Sequence, residues 1–266
     1  MNNNKKYSIE HTVQSKRGDR AENQDSAEEY LDDKQSLFIV ADGLGGHKNG
    51  RFAAHYFSER IIHHTNKYHT LLYNDPVTIL TKIFSLAEQD LLHEAREDLN
   101  KRDARTTCVI AYCSDKITLS LHVGDSRFYL FDQNKINWQS KDHSIIQLLI
   151  DQNEITQQEA NTHPDRNRIY KCLGGDTKQI PSIEELTPLT GSQSIVICSD
   201  GFWHTLDHPR LNQLITAHDF DLQLQSLSQQ AVDEAKGRSD NVTAIAIRHP
   251  LATIEELPHT KPVKRV

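Results

Sequence analysis

The chain reads as an α+β fold in which antiparallel sheets are covered by helices. Three observations predict it: short apolar runs of β-forming residues, separate stretches of helical periodicity, and a three-residue connector that joins two of the runs. A doubly wound fold would alternate strands with helices, whereas here several strands follow one another directly.

The strand-like runs are Leu37 to Ala41, Thr107 to Tyr112, Ile117 to Val123, Arg127 to Phe131, Ile195 to Cys198 and Val242 to Ile247. Their shortness and polar boundaries favour strands over helices. Ser114-Asp115-Lys116 connects the second and third runs, which predicts an antiparallel hairpin. Among the helices, Ala53, Phe57 and Ile61 begin one apolar stripe. Leu80, Phe84, Ala87, Leu91 and Ala95 form a second, and Leu224, Leu227, Ala231 and Ala235 a third. Each stripe steps by three or four and faces a core. Thr156-Gln157-Gln158-Glu159 is a capping box that opens a short helix. His63-His64 are expected on an exposed helix face. The stretch from Pro250 to Val266 holds three prolines and reads as a flexible tail behind one globular unit, residues 1–249.

Composition narrows the function. The 266 residues carry a formal net charge of -7, which argues against a nucleic-acid binder that relies on bulk charge. No apolar run reaches the length of a membrane span, and no apolar segment follows Lys5-Lys6 as a secretory signal would. Cys108, Cys113, Cys172 and Cys198 make no C-x-x-C pair, and three lie in strand-like runs, so buried thiols in a reducing cytoplasm are expected. The 15 histidines are scattered and show no H-E-x-x-H spacing.

The chemistry lies where strands end. Asp42-Gly43 follows the first run and Gly124-Asp125 the third; Asp200-Gly201 follows the fifth, and Asp240 precedes the sixth. One Asp-Gly is a turn. Four strand-end aspartates repel one another unless a cation sits between them, and their hard oxygens suit magnesium or manganese. Gly43, Gly45 and Gly46 resemble a phosphate-binding loop only weakly, because His47-Lys48-Asn49 follows where Gly-Lys-Ser/Thr is needed. The glycines are better read as a sharp turn or as backbone that approaches a metal. In Arg17 to Ser26, Arg20 is either part of a solvated charged loop or a guanidinium for phosphate.

The ordered set Arg20-x-x-Asn23-Gln24-Asp25, Asp42-Gly43-x-Gly45-Gly46-His47, Thr106-Thr107, Gly124-Asp125-Ser126-Arg127, Asp142-His143-Ser144, Ser199-Asp200-Gly201 and Ser239-Asp240-Asn241-x-Thr243 resembles the motif series of the metal-dependent protein phosphatases. These are the PPM family, or type 2C serine/threonine phosphatases, and the likeness is to the bacterial branch. It spans about residues 7–248, and residues 142–176 resemble that branch's flap beside the active site. The resemblance implies a four-layer αββα sandwich, two antiparallel β-sheets flanked by helices. It also implies a Mn2+- or Mg2+-dependent hydrolase of phosphoserine and phosphothreonine. Asp42 would bridge two ions, Gly43 would offer its carbonyl, and Asp200 and Asp240 would complete the pair. Asp125, with Asp200, would take a third and weaker ion, with Asn167 as a lesser contributor. Asp25 would hold bound water, and Arg20 would grip the substrate phosphate.

The expected partners are a phosphorylated protein substrate and a serine/threonine kinase with its targets. No nucleic acid or membrane is expected, and the protein is expected to be a cytoplasmic monomer. Three positions depart from the family pattern: Gln24 where glutamate is common, Leu44 where eukaryotic relatives carry a proposed general acid, and Arg105 where glycine is usual. Gln24 and Arg105 motivate the alternative of a non-catalytic phosphoprotein-binding module on the same scaffold. A metal-dependent nuclease or small-molecule phosphoesterase is a third class; the acidic charge counts against the nuclease. Trp203-His204 is read as packing, and His47 as a supporting residue.

Overall fold

Runs apolar at every position must be buried on both faces, and two antiparallel sheets stacked between helices provide that environment. The computed structural model describes residues 7–44, 48–132, 135–160, 162–175, 177–191, 193–206, 209–211, 214 and 219–250. One five-stranded sheet has the order β1 (Glu10–Lys16), β13 (Val242–Arg248), β12 (Gln193–Cys198), β8 (Arg127–Asp132), β9 (Lys135–Gln139). The other runs β11 (Ser182–Leu186), β7 (Thr118–Val123), β6 (Cys108–Ser114), β3 (Gln35–Ala41), β2 (Ser26–Leu31). A small sheet of β10 (Leu173–Gly174), β5 (Arg105–Thr106) and β4 (Gly43–Leu44) lies beyond the end of β3.

The two-residue period of a strand assigns its side chains to layers. In β3, Phe38 and Val40 point inward and pack with Val109, Phe128, Ile197 and Ile245 between the sheets. Leu37 and Ile39 point outward to a second core with Phe57, Ile61, Phe84 and Leu91. Those four side chains belong to α1 (Lys48–Asn74) and α2 (Pro76–Glu97). Asp75 caps α2 by accepting from the Thr78 backbone N–H, and Pro76 supplies a helix-ready φ. On the opposite outer face, Val196, Cys198 and Ala244 pack against Leu224, Leu227 and Ala231. These last three lie on the helix Phe220–Glu234, numbered α6. The expected four-layer αββα sandwich is therefore present. The shorter helices are α3 (Ile145–Asp151), α4 (Gln157–Ala160) and α5 (Asp200–Trp203).

The expected hairpin pairs β6 with β7. The capping box opens α4 as read, with Glu159 accepting from the Thr156 N–H and hydroxyl. One helix-face expectation fails. His63 is exposed but His64 is buried, with Nε2 2.7 Å from Asp90 of α2. Neighbouring helix residues lie about 100° apart, so one of such a pair turns inward when a second helix packs alongside. Apart from Pro250, the predicted tail lies outside the described residues, as do Gly45, Gly46 and His47.

Candidate active site

Strand register brings the aspartates to one end of the sandwich. Ser26 pairs with Ala41, so Asp25 and Asp42 sit side by side. Cys108 pairs with Val123, which sends Asp125 off the same end. Cys198 lies opposite both Arg127 and Ala244, so Asp200 leaves β12 beside Asp125 and Asp240. Asp25 is buried, and Asp42, Asp125, Asp200 and Asp240 are partly open.

Their charges interact. Removal from water, then the charges of Asp25, Asp200, Asp125 and Asp240, raise the Asp42 carboxyl well above its ordinary range. Burial, with Asp200 and Asp240, pushes Asp25 up to about 7 against hydrogen bonds from Thr243 and Ser199. Burial, Asp200 and Asp142 push Asp125 to about 8. Burial and Asp240 push Asp200 to about 6, offset by a hydrogen bond with Asp42, the Gly201 N–H and Arg20. Five carboxyls thus feel one another at the end of the sheets.

Among the described residues, no three His, Cys, Asp or Glu side chains already form a closed metal cage. Four of the five carboxylates turn instead to a nearer partner. Asp240 accepts from the Arg20 guanidinium at 2.7 Å, Asp25 accepts from the Ser199 hydroxyl at 2.8 Å, and Asp42 and Asp200 bond to each other. A guanidinium, a hydroxyl, or a proton shared between Asp42 and Asp200 relieves the repulsion among these carboxylates. Buried Asp25 Oδ1 and Asp200 Oδ1 nevertheless have no hydrogen-bond partner. Orphaned anionic oxygens facing other carboxylates are the donor chemistry that a hard divalent cation satisfies.

The backbone around this cluster is held by the other motif residues. Thr106 donates its hydroxyl to the Asp42 carbonyl at 2.8 Å, and the Thr107 N–H donates to that carbonyl at 2.9 Å. The Asp42 N–H donates to Thr107 Oγ1, which also shares a 2.7 Å bond with Ser126. Gly43 is required by packing: a Cβ there would lie 2.3 Å from the Gly50 backbone. Leu44 pairs with Arg105 across β4 and β5, so the departures at these positions fall on one short ladder, and Arg105 is exposed.

The Asp125 loop has its own supports. Arg127 grips Asp142 with two 2.8 Å bonds and stacks 3.3 Å from the Trp203 ring centroid. Trp203 Nε1–H donates to the Asp125 carbonyl at 3.0 Å, so this tryptophan does more than fill space. The Gly124 N–H donates to His143 Nδ1, which leaves the proton of the neutral ring on Nε2, donated to Ser182. Sequence reasoning did not assign Trp203 this part; its place in the first turn after Asp200 was the available signal.

Arg20 is carried by a loop fastened to the far end of the chain. The Asp19 N–H donates to Ser239 Oγ, and the Ser239 N–H donates to Asp19 Oδ2. Asn241 accepts from the Gln24 N–H and donates to the carbonyls of Arg17 and Glu22. Gly18 adopts φ +61°, and a Cβ there would lie 2.2 Å from the Asp240 carbonyl oxygen. Arg20 thereby stands at the rim beside Asp240, whose charge raises its pKa. Asn167 lines a groove at this rim together with Arg20, Asp200 and Asp240.

A family model described as protein phosphatase 2C matches residues 14–240. The serine/threonine phosphatase stp of Listeria innocua is 26% identical over 226 residues, covering 82% of this chain and 86% of the relative. A solved bacterial serine phosphatase superposes with a TM-score of 0.83 at 27% identity, covering 93% of this chain and 100% of that one. The catalytic domain of the phosphatase PstP, solved in complex with two manganese ions, gives a TM-score of 0.73 at 23% identity, covering 90% and 97%.

Proposed function

This chain belongs to the protein phosphatase 2C family, in its bacterial branch, and from that premise we propose that it dephosphorylates phosphoserine and phosphothreonine in proteins, opposing a serine/threonine kinase, at a centre of two divalent ions. The observation that carries the reading is the convergence of five strand-end aspartates, two with orphaned buried oxygens. Asp42, the Gly43 carbonyl, Asp200 and Asp240 would hold two Mn2+ or Mg2+ ions, and Asp125 with Asp200 a third, weaker one. The manganese pair in the PstP structure supports that choice of ion. Bound divalent ions lower the pKa of water and offset charge on phosphoryl oxygens.

The chain's own groups would do the rest. Asp25 keeps one oxygen on Ser199 and has the other free to orient water. Arg20, once released from Asp240, offers its planar fork to two phosphate oxygens. Leu44 brings no proton donor to the site, so the leaving alkoxide would take its proton from solvent. Burial raises the thiols of Cys108, Cys113 and Cys198, which keeps them protonated and without a nucleophilic part.

All four cysteines are free, which fits a reducing cytoplasm, and no described helix is long and apolar enough to cross a membrane. We take residues 1–249 as one catalytic unit, 250–266 as a tail, and the protein as a monomer, which light scattering would check. The functional test compares a phosphothreonine peptide and para-nitrophenyl phosphate with Mn2+, with Mg2+ and with chelator. Turnover that needs the ion is expected, with two strong sites in a calorimetric titration. Peptide binding without turnover would instead favour the non-catalytic module.

A further inference from the structure

Beside the carboxylates lies a groove of about 210 Å3, lined by Arg20, Arg166, Arg238, His204, Asp200 and Asp240 among others. Arg20 is paired with Asp240. Arg166 and Arg238 are exposed, and among the described residues neither side chain has a hydrogen-bond or ion-pair partner.

The two arginines reach the groove from different directions on braced backbone. Arg166 belongs to the flap, where its N–H donates to the His163 carbonyl. Arg238 precedes β13; its N–H donates to the Ala235 carbonyl, and the next residue, Ser239, is locked to Asp19 by the reciprocal pair of bonds. The same lock carries Arg20, so the fold holds the backbones of Arg20 and Arg238 in place relative to each other. His204 records the local field: burial, then Arg166 and Arg127, hold its imidazole below the ordinary range, and it stays neutral. With Asp200 and Asp240 engaged by cations, three guanidiniums would face this groove and no uncompensated carboxylate among its lining residues would oppose them.

We infer that Arg166 and Arg238 form a second anion subsite, which takes an acidic side chain or a second phosphate next to the phosphoresidue held by Arg20. The inference rests on the phosphatase reading and names the substrate class of that same site. Guanidinium matches either anion with paired hydrogen bonds, so the shared chemistry is an oxyanion beside the scissile ester. A neutral or basic neighbour would leave the pair unsatisfied or repelled.

The test uses the full chain with Mn2+ and a panel of phosphothreonine peptides. Alanine, glutamate or phosphoserine is placed in turn at each of the flanking positions. At the position that reaches the groove, kcat/KM is expected to rise about fivefold over alanine with glutamate, and further with phosphoserine. Comparison of the two substitutions separates the sources of the anion. In Arg238→Gln and in Arg166→Gln the ratio of acidic to alanine peptide should fall toward one; taking a ratio removes any general loss of activity. Thermal midpoints confirm folding. A flat wild-type profile, or a preference unchanged in both variants, overturns the inference while leaving the phosphatase reading intact. No hydrolysis even of para-nitrophenyl phosphate overturns the phosphatase reading, and the inference with it.

Discussion

The floor and the rim of the site are built in opposite ways. On the floor, Asp42 is held through three hydrogen bonds by Thr106 and Thr107, and Asp125 through Trp203, Arg127 and Asp142. Thr106, Thr107 and Asp142 are buried and Arg127 and Trp203 are partly so, and there each bond is costly to leave unmade. On the rim, Arg20, Arg166 and Arg238 stand in solvent, and two of them have no carboxylate partner among the described residues. On the proposed function, the floor would fix charge where bonds break, while the rim could change what is admitted without disturbing it.

Substitutions can sharpen or break that contrast. The largest effect is expected from Asp42→Asn, which removes a charge from the centre of the floor and should lower kcat on the order of 10³-fold in the Mn2+ assay. If the variant kept wild-type turnover, the floor would not be the reaction centre. Arg20→Ala should lower kcat/KM toward phosphopeptide about 10²-fold, the loss of a charge-assisted fork, with an unchanged melting temperature. Thr107→Val keeps the shape but strands the Asp42 N–H and the Ser126 hydroxyl. We expect about 1–3 kcal/mol less stability in urea and about tenfold less activity. An equal loss of stability at an exposed rim residue would erase the distinction.

The smallest effect concerns pH. Burial, then His122 and Lys171, lower His143 to about 3, so the folded chain binds its proton less well than the unfolded chain does. Stability should therefore be full above about pH 6.5 and fall as pH drops toward 3. In His143→Asn an amide oxygen can accept from Gly124 in place of Nδ1, and that part of the slope should vanish in denaturation curves measured at successive pH values. A slope identical to wild type would remove His143 as its source.

How far the sequence could be read depended on burial. β3, β6, β12 and β13 are apolar on both faces and stand out as runs. β1, β2, β9 and β11 lie at sheet edges, and their mixed patterns, such as Glu-His-Thr-Val-Gln-Ser-Lys in β1, hide them among polar residues. α3, which buries none of its residues, gave no stripe to detect. The aspartates were legible because strand ends concentrate them. Trp203 acts through one bond to a backbone carbonyl and Asn241 through three bonds to the backbone of a distant loop, and neither imposes a spacing on the sequence.

β13, near the C-terminal end of the described chain, lies between β1, near its beginning, and β12, and Asn241 and Ser239 fasten the loop that carries Arg20. A nascent polypeptide emerging from the ribosome can fold β2, β3, β6 and β7 early, but it cannot close the other sheet until β13 has been synthesised. Asp240 emerges together with β13. A polypeptide released before that stretch would lack, at one stroke, the strand that joins β1 to β12, the fastening of the Arg20 loop and a carboxylate of the proposed metal centre.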